Sequence, residues 1–395
     1  MNQKGILVPL VATLGVQSII SMVAVTVPVL APSAAPDFGV SPTTVGLYVS
    51  LMYIGSMISS LWSGDFIFRY GALRVSQFCL VLTGMGLMLT AFASIPTMIL
   101  SALVIGFGYG PVTPASSHIL ARRAPVSKMS FIFSLKQTGV PLGGVLAGAI
   151  VPSLVLLVGW KNTSLIIGIF TISLVLLLIP IRNELDNDRQ PGRPISFSGV
   201  TRPLGMVLSH RPLRQLAIIS FLYAGMQLCL FTYLVIFLTN DIGLALVAAG
   251  FILSAAQLAG TVGRIFWGVL ADRYISPRLL LGLLGIGMSV GAIATAAISP
   301  NWPTICVVMS VILFGATAIG WNGVYLAEAA RSAPEGKAGE ATGGTLFFTF
   351  LGVVLGPSIF AAVASGSDSY PLGFIFFAVL TLVCGVGAIA SYRKS

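Results

Sequence analysis

Charged side chains are scarce in this sequence. They make up 8% of its 395 residues, whereas soluble globular domains carry about 25%. Hydrophobic residues make up 56% of the chain. This balance excludes an ordinary soluble domain and indicates an integral membrane protein.

Residues that commonly carry catalytic chemistry are also few. The two His and four Cys have no metal-type spacing, and the cysteines lie inside apolar segments, which predicts free thiols. The sequence contains no Walker-type phosphate loop and no nucleophile elbow. The glycines of "GFGYGP", residues 106–111, follow no predicted strand and so do not indicate a dinucleotide site. We therefore expect neither an enzyme nor a bound cofactor or metal.

Long hydrophobic runs, in contrast, are abundant. About 20 predominantly apolar residues cross a bilayer as a helix, and the sequence contains twelve such runs. The predicted spans are 6–30, 44–68, 75–94, 97–121, 129–156, 162–181, 215–239, 246–270, 279–299, 304–327, 341–365 and 371–391.

The positions of the basic residues predict the topology. With a cytoplasmic N terminus, all but three of the 21 Lys and Arg lie in the termini or in the even-numbered connections. The opposite side carries Lys161 with Asp37, Asp241 and Asp368. The positive-inside rule therefore predicts that both termini are cytoplasmic. The excess of positive charge reflects this topology and gives no reason to expect a nucleic-acid partner.

One polar segment divides the chain. Residues 182–214 combine charges with Pro, Gly and Ser, which predicts a cytoplasmic linker between a first half, 1–181, and a second half, 215–395. Within the linker, 204–209 is predicted to form a short surface helix. A shift of 204 residues places "GDFIFRYGALR", 64–74, on "GVLADRYISPR", 268–278, which indicates an internal repeat.

With these two loops the chain resembles the major facilitator superfamily over essentially its full length. The resemblance implies an all-α membrane fold of twelve transmembrane helices in two six-helix halves, and a transporter that works as a monomer. The family signature is a Gly, three residues, an Asp, a basic residue, one further residue and a second Gly before more basic residues. In the first copy Phe68 stands where the family has the Asp, and Asp65 is a candidate substitute. The gating residues implied by the resemblance are Gly64, Asp65, Arg69, Arg74, Gly268, Asp272, Arg273 and Arg278.

Two glycine-rich stretches fall inside predicted spans. "GVPLGG", 139–144, resembles the fifth-span motif of the family's exporters with its proline displaced by one residue, and "GVVLGP", 352–357, lies in the eleventh span. Small residues permit close helix approach and prolines permit bends, although simple packing is an equally open explanation. Ala102 replaces the arginine of the proton-coupled drug exporters, which counts against that branch. The predicted packing and bending residues are Gly139, Pro141, Gly143, Gly144, Gly352, Gly356 and Pro357.

Two cations lie well inside predicted spans, Lys136 in the fifth and Arg264 in the eighth. Such a charge costs roughly 2.5–3.5 kcal/mol on insertion scales and usually marks a functional site. In the family fold these spans lie beside the central cavity in opposite halves, so the resemblance implies that both cations bind one anionic substrate. Arg264 resembles the substrate-binding arginine of monocarboxylate and oxalate transporters, but Gly260 stands where the monocarboxylate transporters have an acid. Alternatively, Lys136 reaches an interface and Arg264 is a structural strut.

Other polar and aromatic residues occur at a similar predicted depth. An aromatic ring with one polar group suits a pocket that holds an organic molecule by its apolar face, although packing or helix-to-helix hydrogen bonding explains each residue as well. These candidates are Gln17, Tyr48, Tyr109, Gln137, Tyr223, Gln227, Gln257, Trp321 and Asn322.

Together these observations predict a secondary active transporter of a small organic anion, with a carboxylate favoured, that works by alternating access. We expect it in a bacterial inner membrane, in contact with lipid, with a proton as the candidate co-transported ion. The alternatives are an exporter of drugs or hydrophobic compounds, and a non-transporting receptor or lipid flippase on the same fold.

Overall fold

The computed structural model describes residues 4–39, 45–195, 201–367 and 369–392. Asp368 and residues 196–200 of the predicted linker lie outside these ranges. Every regular element within them is helical. The first ten α-helices are α1 (Lys4–Phe38), α2 (Val45–Tyr70), α3 (Ala72–Leu89), α4 (Ile95–Tyr109), α5 (Val112–Arg123), α6 (Met129–Gln137), α7 (Gly139–Ser173), α8 (Val175–Leu178), α9 (Arg182–Leu185) and α10 (Thr201–Ser209). The remaining seven are α11 (Arg211–Asn240), α12 (Leu246–Arg273), α13 (Pro277–Ala296), α14 (Thr304–Ala318), α15 (Asn322–Arg331), α16 (Ala338–Ser367) and α17 (Tyr370–Tyr392).

Eleven helical segments of the described chain are long and apolar enough to cross a membrane. The longest of them, Val126–Leu178, has 53 residues, which is more than twice the length that one crossing needs. Its backbone leaves the helical conformation at Gly159, where φ is +79°. This break lies between the predicted fifth and sixth spans, so the long segment contains two crossings. The short helix expected at 204–209 is also present, as part of α10.

The chain folds into two compact units. Unit 1 comprises Met1–Ala124, Lys136–His210 and Ala329–Phe347. Unit 2 comprises Pro125–Leu135, Arg211–Glu328 and Phe348–Ser395. Each unit therefore takes a short piece of chain, 125–135 or 329–347, that is remote in sequence from most of its other residues.

Backbone contact between α1 and α7 organises unit 1. A side-chain carbon on Gly143 would overlap the carbonyl oxygen of Ser18, and one on Gly139 would lie 2.9 Å from the oxygen of Leu14. These two glycines therefore let the helix backbones approach closely. Gly144, the next residue in the motif, faces open space and takes no part in this contact.

The equivalent contact in unit 2 lies between α11 and α16. A side-chain carbon on Gly352 would overlap the carbonyl oxygen of Phe221, and one on Gly356 would lie 2.6 Å from the Cα of Gly225. The carbonyl of Pro357 accepts a hydrogen bond from the hydroxyl of Tyr233 at 2.8 Å. The eleventh-span motif thus provides both close packing and an oxygen for a neighbouring helix.

The first part of the linker is docked on unit 1 by Asp186. Its carboxylate accepts hydrogen bonds from the backbone N–H groups of Leu73 at 2.7 Å and Arg74 at 3.1 Å. These N–H groups lie at the start of α3, where the helix itself offers them no acceptor. Gly71 has φ +104°, and a side-chain carbon there would overlap Asp186. Burial raises the pKa of Asp186, while the hydrogen bonds from Leu73 and Arg74 oppose this shift.

A second linker carboxylate, Asp188, binds the end of α5. His118 Nε2 donates to Asp188 Oδ2 at 2.6 Å, and Arg122 Nη1 lies 2.6 Å from Asp188 Oδ1. Burial acts to raise the pKa of Asp188. The hydrogen bond from His118 and the charges of His118 and Arg122 outweigh burial, and hold the pKa below its usual value. The predicted linker is thus fixed to unit 1 over its first residues.

Neighbouring glycines test the packing of α1 on α7. We expect Gly143→Ala to destabilise the protein by about 1–3 kcal/mol, because the added methyl group overpacks the contact. Gly144→Ala should instead be neutral or stabilising by up to about 1 kcal/mol, because alanine is the better helix former. Thermal unfolding of the purified variants in detergent measures both effects, and equal unfolding temperatures would contradict the proposed contact.

The docked linker predicts a specific pH dependence. The ionised form of Asp188 stabilises the fold above about pH 3.9, the ordinary unfolded-state pKa. That contribution is lost only as the pH falls through the lower folded pKa. Asp188→Asn should therefore lower stability by about 1 kcal/mol at pH 7, with the loss persisting at pH 5. Exposed Glu184, which pairs with Arg123, provides the control Glu184→Gln, and a deficit that disappears by pH 5 would refute the assignment.

Candidate functional site

Lys136 lies in a buried polar cluster of unit 1. Its side chain is 1% exposed, and Nζ donates to Gln17 Oε1 at 2.8 Å and to Gln137 Oε1 at 3.1 Å. Thr113 also donates to Gln17 Oε1, and Gln17 Nε2 donates to Ser21. The oxygens of Gln17 and Gln137 belong to neutral amides, so these two bonds do not themselves neutralise the positive charge of Lys136.

The fifth span is interrupted immediately after this lysine. The helix ends at Gln137 and resumes at Gly139, with Thr138 in a turn conformation. Pro141 explains the break, because a proline has no N–H to bond the residue four positions earlier and its ring clashes with that carbonyl. That earlier residue is Gln137. The displaced proline of the glycine motif thus places a helix end beside Lys136.

The fourth and tenth spans have similar interruptions. The break between α4 and α5 falls at Gly110 and Pro111, and that between α14 and α15 at residues 319–321. Thr113, which bonds Gln17, is the second residue after the first of these breaks. Interrupted helices expose backbone polar groups within a membrane bundle, and transporters place their binding sites at such points.

Arg264 is buried in unit 2. Its side chain is 2% exposed, and Nε donates to the carbonyl oxygen of Ile319 at 3.0 Å. Ile319 is the first residue after α14, where helix carbonyls lack a partner within the helix and attract a cation. A side-chain carbon on Gly260 would overlap Ile319. The glycine that stands where the monocarboxylate transporters have an acid therefore lets α12 approach the end of α14.

The "GWNG" stretch is joined to α11 through Gln227. Trp321 Nε1 and Asn322 Nδ2 donate to Gln227 Oε1 at 3.1 Å and 3.2 Å. The Trp321 ring meets those of Tyr223 and Tyr325 at centroid distances of 5.7 Å and 5.2 Å. All three aromatic side chains are buried. The structure thus brings Trp321, Asn322, Tyr223 and Gln227 together in one cluster.

Three candidate residues from the sequence lie outside both the Lys136 cluster and the cluster around Trp321 and Gln227. Tyr48 is buried and bonds Ser101 at 2.8 Å. Tyr109 packs edge-on against Tyr53 with ring centroids 6.2 Å apart. Gln257 is exposed on α12. Conversely, Thr113 and Ser21 join the Lys136 cluster without having been singled out, because a hydroxyl inside a span gives no distinctive sequence signal.

The second copy of the loop signature forms a helix cap. The carboxylate of Asp272 accepts the N–H groups of Ser130 at 3.0 Å and Phe131 at 2.7 Å, at the start of α6. A negative charge is stabilised at a helix N terminus. A side-chain carbon on Gly268 would lie 2.6 Å from Ser134 Oγ. Arg273, by contrast, is exposed.

The arginine that ends this copy, Arg278, is bound to the tenth span. Its Nε donates to Glu328 Oε1 at 2.7 Å. Glu328 is 7% exposed, so this ion pair is largely shielded from solvent. It ties the start of α13 to α15.

The first copy uses different partners. Phe68, in place of the family's Asp, lies under the guanidinium of Arg193 at 4.4 Å. Arg193 also lies 3.9 Å from Asp65 Oδ1, and Arg69 donates to the Arg193 carbonyl at 3.2 Å.

The two ends of the first copy have contacts of their own. Arg74 pairs with Asp186 of the linker at 3.2 Å. A side-chain carbon on Gly64 would lie 3.1 Å from Glu340 Cβ. Asp65 thus binds a linker arginine, while the carboxylate that caps a helix near this loop is Asp186.

Comparison with known proteins finds similar sequences and a similar fold. The benzoate transport protein of Acinetobacter baylyi is 23% identical over 365 residues, covering 82% of this chain and 76% of that protein. The 4-hydroxybenzoate transporter PcaK of Pseudomonas aeruginosa is 25% identical over 406 residues, covering 92% and 86%. The crystal structure of the E. coli fucose:proton symporter FucP superposes with a TM-score of 0.76 at 16% identity, covering 99% of this chain and 100% of that one.

These matches settle the fold. The FucP likeness confirms the predicted all-helical membrane fold. The sequence model described as Major Facilitator Superfamily matches residues 13–357, a range that contains both loop signatures, both buried cations and the three interrupted spans. The chain belongs to the Major Facilitator Superfamily.

Proposed function

We propose that this protein is a secondary transporter of small organic anions, with aromatic carboxylates as its substrate class. Two similar proteins are named as transporters of benzoate and 4-hydroxybenzoate, and both substrates are small aromatic carboxylates. The proposal also places the protein in a bacterial inner membrane with cytoplasmic termini, as the distribution of basic residues favours. We further propose that it acts as a monomer.

The observation that carries this proposal is the burial of Lys136, whose side chain is 1% exposed, beside the interruption of a membrane helix. An ammonium group in a membrane bundle attracts an anion strongly, because little water competes there. The planar guanidinium of Arg264 matches the two oxygens of a carboxylate. We propose that both cations contact the substrate carboxylate during the transport cycle.

Burial also bears on the mechanism. Lys136 and Arg264 are nearly inaccessible, so substrate can reach them only if the surrounding helices move. A bound carboxylate would offset their charge and lower the cost of closing the bundle around them. This sequence of opening, neutralisation and closing is what alternating access requires.

A proton is the proposed co-transported ion. The structural neighbour FucP is named as a fucose:proton symporter, although its likeness to this chain extends to the fold alone. Accumulation of a carboxylate against its gradient requires an energy source, and a proton entering with the anion would also cancel its charge.

The drug-exporter alternative loses its main support. The glycine spacing of the fifth span suggested it, but Gly139 and Gly143 are explained by the packing of α7 on α1.

Uptake of radiolabelled benzoate by proteoliposomes tests the main proposal directly. Benzoate accumulation driven by an inward proton gradient is the expected result. Benzoate binding without uptake would indicate a receptor instead.

Substitution of the buried cations should reduce substrate affinity. We expect Lys136→Gln and Arg264→Gln each to weaken benzoate binding by about tenfold to hundredfold, because one charged hydrogen bond is worth about 1.5–3 kcal/mol. Lys128→Gln and Arg211→Gln, at exposed positions, are the matched controls. Calorimetric titration and uptake measure the effect on correctly inserted protein, and wild-type affinity in both variants would exclude these residues from the site.

The Asp272 cap should affect the rate of conformational change more than binding. Asp272→Asn removes the charge at the start of α6, which is worth up to about 2 kcal/mol. We expect the initial uptake rate to fall severalfold, with a smaller change in benzoate affinity than Lys136→Gln produces. Exposed Glu335→Gln is the control. A variant with wild-type uptake would argue against a gating role.

A further inference from the structure

An apolar cavity of about 340 Å³ lies in unit 1, at the end of α1 that carries Phe38. Its walls come from α1 between Val27 and Phe38, from the starts of α2 and α4, and from Trp160. Ligand pockets commonly have volumes of roughly 300–1,000 Å³, so the cavity is large enough to hold part of a small molecule. It is separate from the Lys136 cluster, since the two share no residue.

The α1 wall of the cavity runs from Phe38, at the end of the helix, back to Val27. This stretch is about 16 Å long at 1.5 Å per residue. Half of a bilayer's hydrocarbon core is about 15 Å thick, so the α1 wall is about as long as one lipid leaflet is deep.

The side chains that line the cavity favour a hydrocarbon ligand. The two hydroxyl groups among the lining residues, those of Tyr48 and Thr90, are already bonded within the protein. Tyr48 meets Ser101 at 2.8 Å, and Thr90 donates to the Leu87 carbonyl at 2.7 Å. Two of the lining residues also reach the protein surface, since Leu47 is 71% and Ile95 is 56% exposed. Exposed aliphatic side chains suit a boundary with lipid tails rather than with water.

A polar rim stands at the same end of the helices. Trp160 lines the cavity, and its indole N–H donates to Asp37 Oδ2 at 3.1 Å. The ammonium of Lys161 lies 3.4 Å from the same oxygen and 5.5 Å from the Trp160 ring centroid. Both charged side chains are more than two-fifths exposed. Tryptophan is enriched at the level of lipid headgroups, which fits a rim at the membrane surface.

We propose that this cavity and rim bind one zwitterionic phospholipid of the phosphatidylethanolamine type. One acyl chain occupies the cavity, the phosphate contacts Lys161, and the headgroup ammonium contacts Asp37. The proposal depends on the membrane fold and does not depend on the identity of the transported substrate.

Charge complementarity selects this occupant. The rim offers one cation and one anion held side by side, and a zwitterionic headgroup offers one group of each sign to meet them. An anionic lipid such as phosphatidylglycerol would bring its phosphate to Lys161 but would leave Asp37 repelled by the same charge. The Trp160 hydrogen bond keeps the Asp37 carboxylate at the rim, so this discrimination is built into the site.

Quenching of Trp160 fluorescence by brominated lipid tests the proposal. The full-length protein is placed in nanodiscs that contain equal mole fractions of brominated phosphatidylethanolamine or brominated phosphatidylglycerol. The Trp160 signal is the difference between the wild type and Trp160→Phe. We expect at least twofold stronger quenching by the ethanolamine lipid.

Variants separate the cavity from the rim. Ala31 lines the cavity, so Ala31→Phe should displace the chain and reduce quenching by both lipids. Ala149→Phe, at an exposed position elsewhere on a helix, should leave quenching unchanged. Asp37→Asn removes the repulsive group and should reverse the preference toward phosphatidylglycerol. The unfolding temperature of each variant verifies that it remains folded.

Three results would overturn the proposal. Equal quenching by both lipids in the wild type and in Asp37→Asn would remove the headgroup selectivity. Quenching that Ala31→Phe leaves intact would show that no chain enters the cavity. Relief of quenching by benzoate, over the concentrations that saturate uptake, would assign the cavity to the substrate route instead.

Discussion

The ammonium group of Lys136 must be stabilised inside a largely apolar bundle, and a buried polar cluster of unit 1 meets that need. A helix bonds most of its own N–H and C=O groups. Side chains supply oxygen atoms to Lys136 instead, one from Gln137 beside it in α6 and one from a neighbouring helix. Gln17 of α1 supplies the latter at 2.8 Å, and its position is held in turn by Thr113 and Ser21.

Close packing of α1 on α7 makes this contact possible. A side-chain carbon on Gly139 would lie 3.0 Å from Gln17 Cβ, so any larger residue there would push Gln17 away from the lysine. Pro141 adds the second condition, because it ends the helix at Gln137 and separates Lys136 from the tightly packed stretch that follows. The glycines and the proline of one short motif therefore have different tasks, close approach and interruption, that serve the same polar cluster.

The features that depend on composition and periodicity were predictable from the sequence. Apolar runs of sufficient length gave the membrane helices, and the scarcity of charge made Lys136 and Arg264 conspicuous. The partners of those residues were harder to predict, because amides and hydroxyls occur throughout the spans and carry no spacing signal. Gln17 could be proposed only as one candidate of nine, and the Ile319 carbonyl that accepts from Arg264 could not be proposed at all. The Ile319 carbonyl lies where the helix is interrupted, and the break at residues 319–321 contains no proline that would have predicted it.

A carboxylate caps a helix N terminus near each of the two loop signatures, but the two carboxylates come from different segments of the chain. In the second copy, Asp272 stabilises the start of α6 directly. In the first copy, Phe68 cannot accept a hydrogen bond at the equivalent position, and its ring instead supports Arg193 of the linker. The linker returns a carboxylate to this region through Asp186, which caps α3 and pairs with Arg74. A negative charge near a helix N terminus is stabilising, whichever segment of the chain provides it. The linker of this protein is therefore part of the first unit's structure, and a sequence comparison restricted to the loop motif would read the first copy as defective.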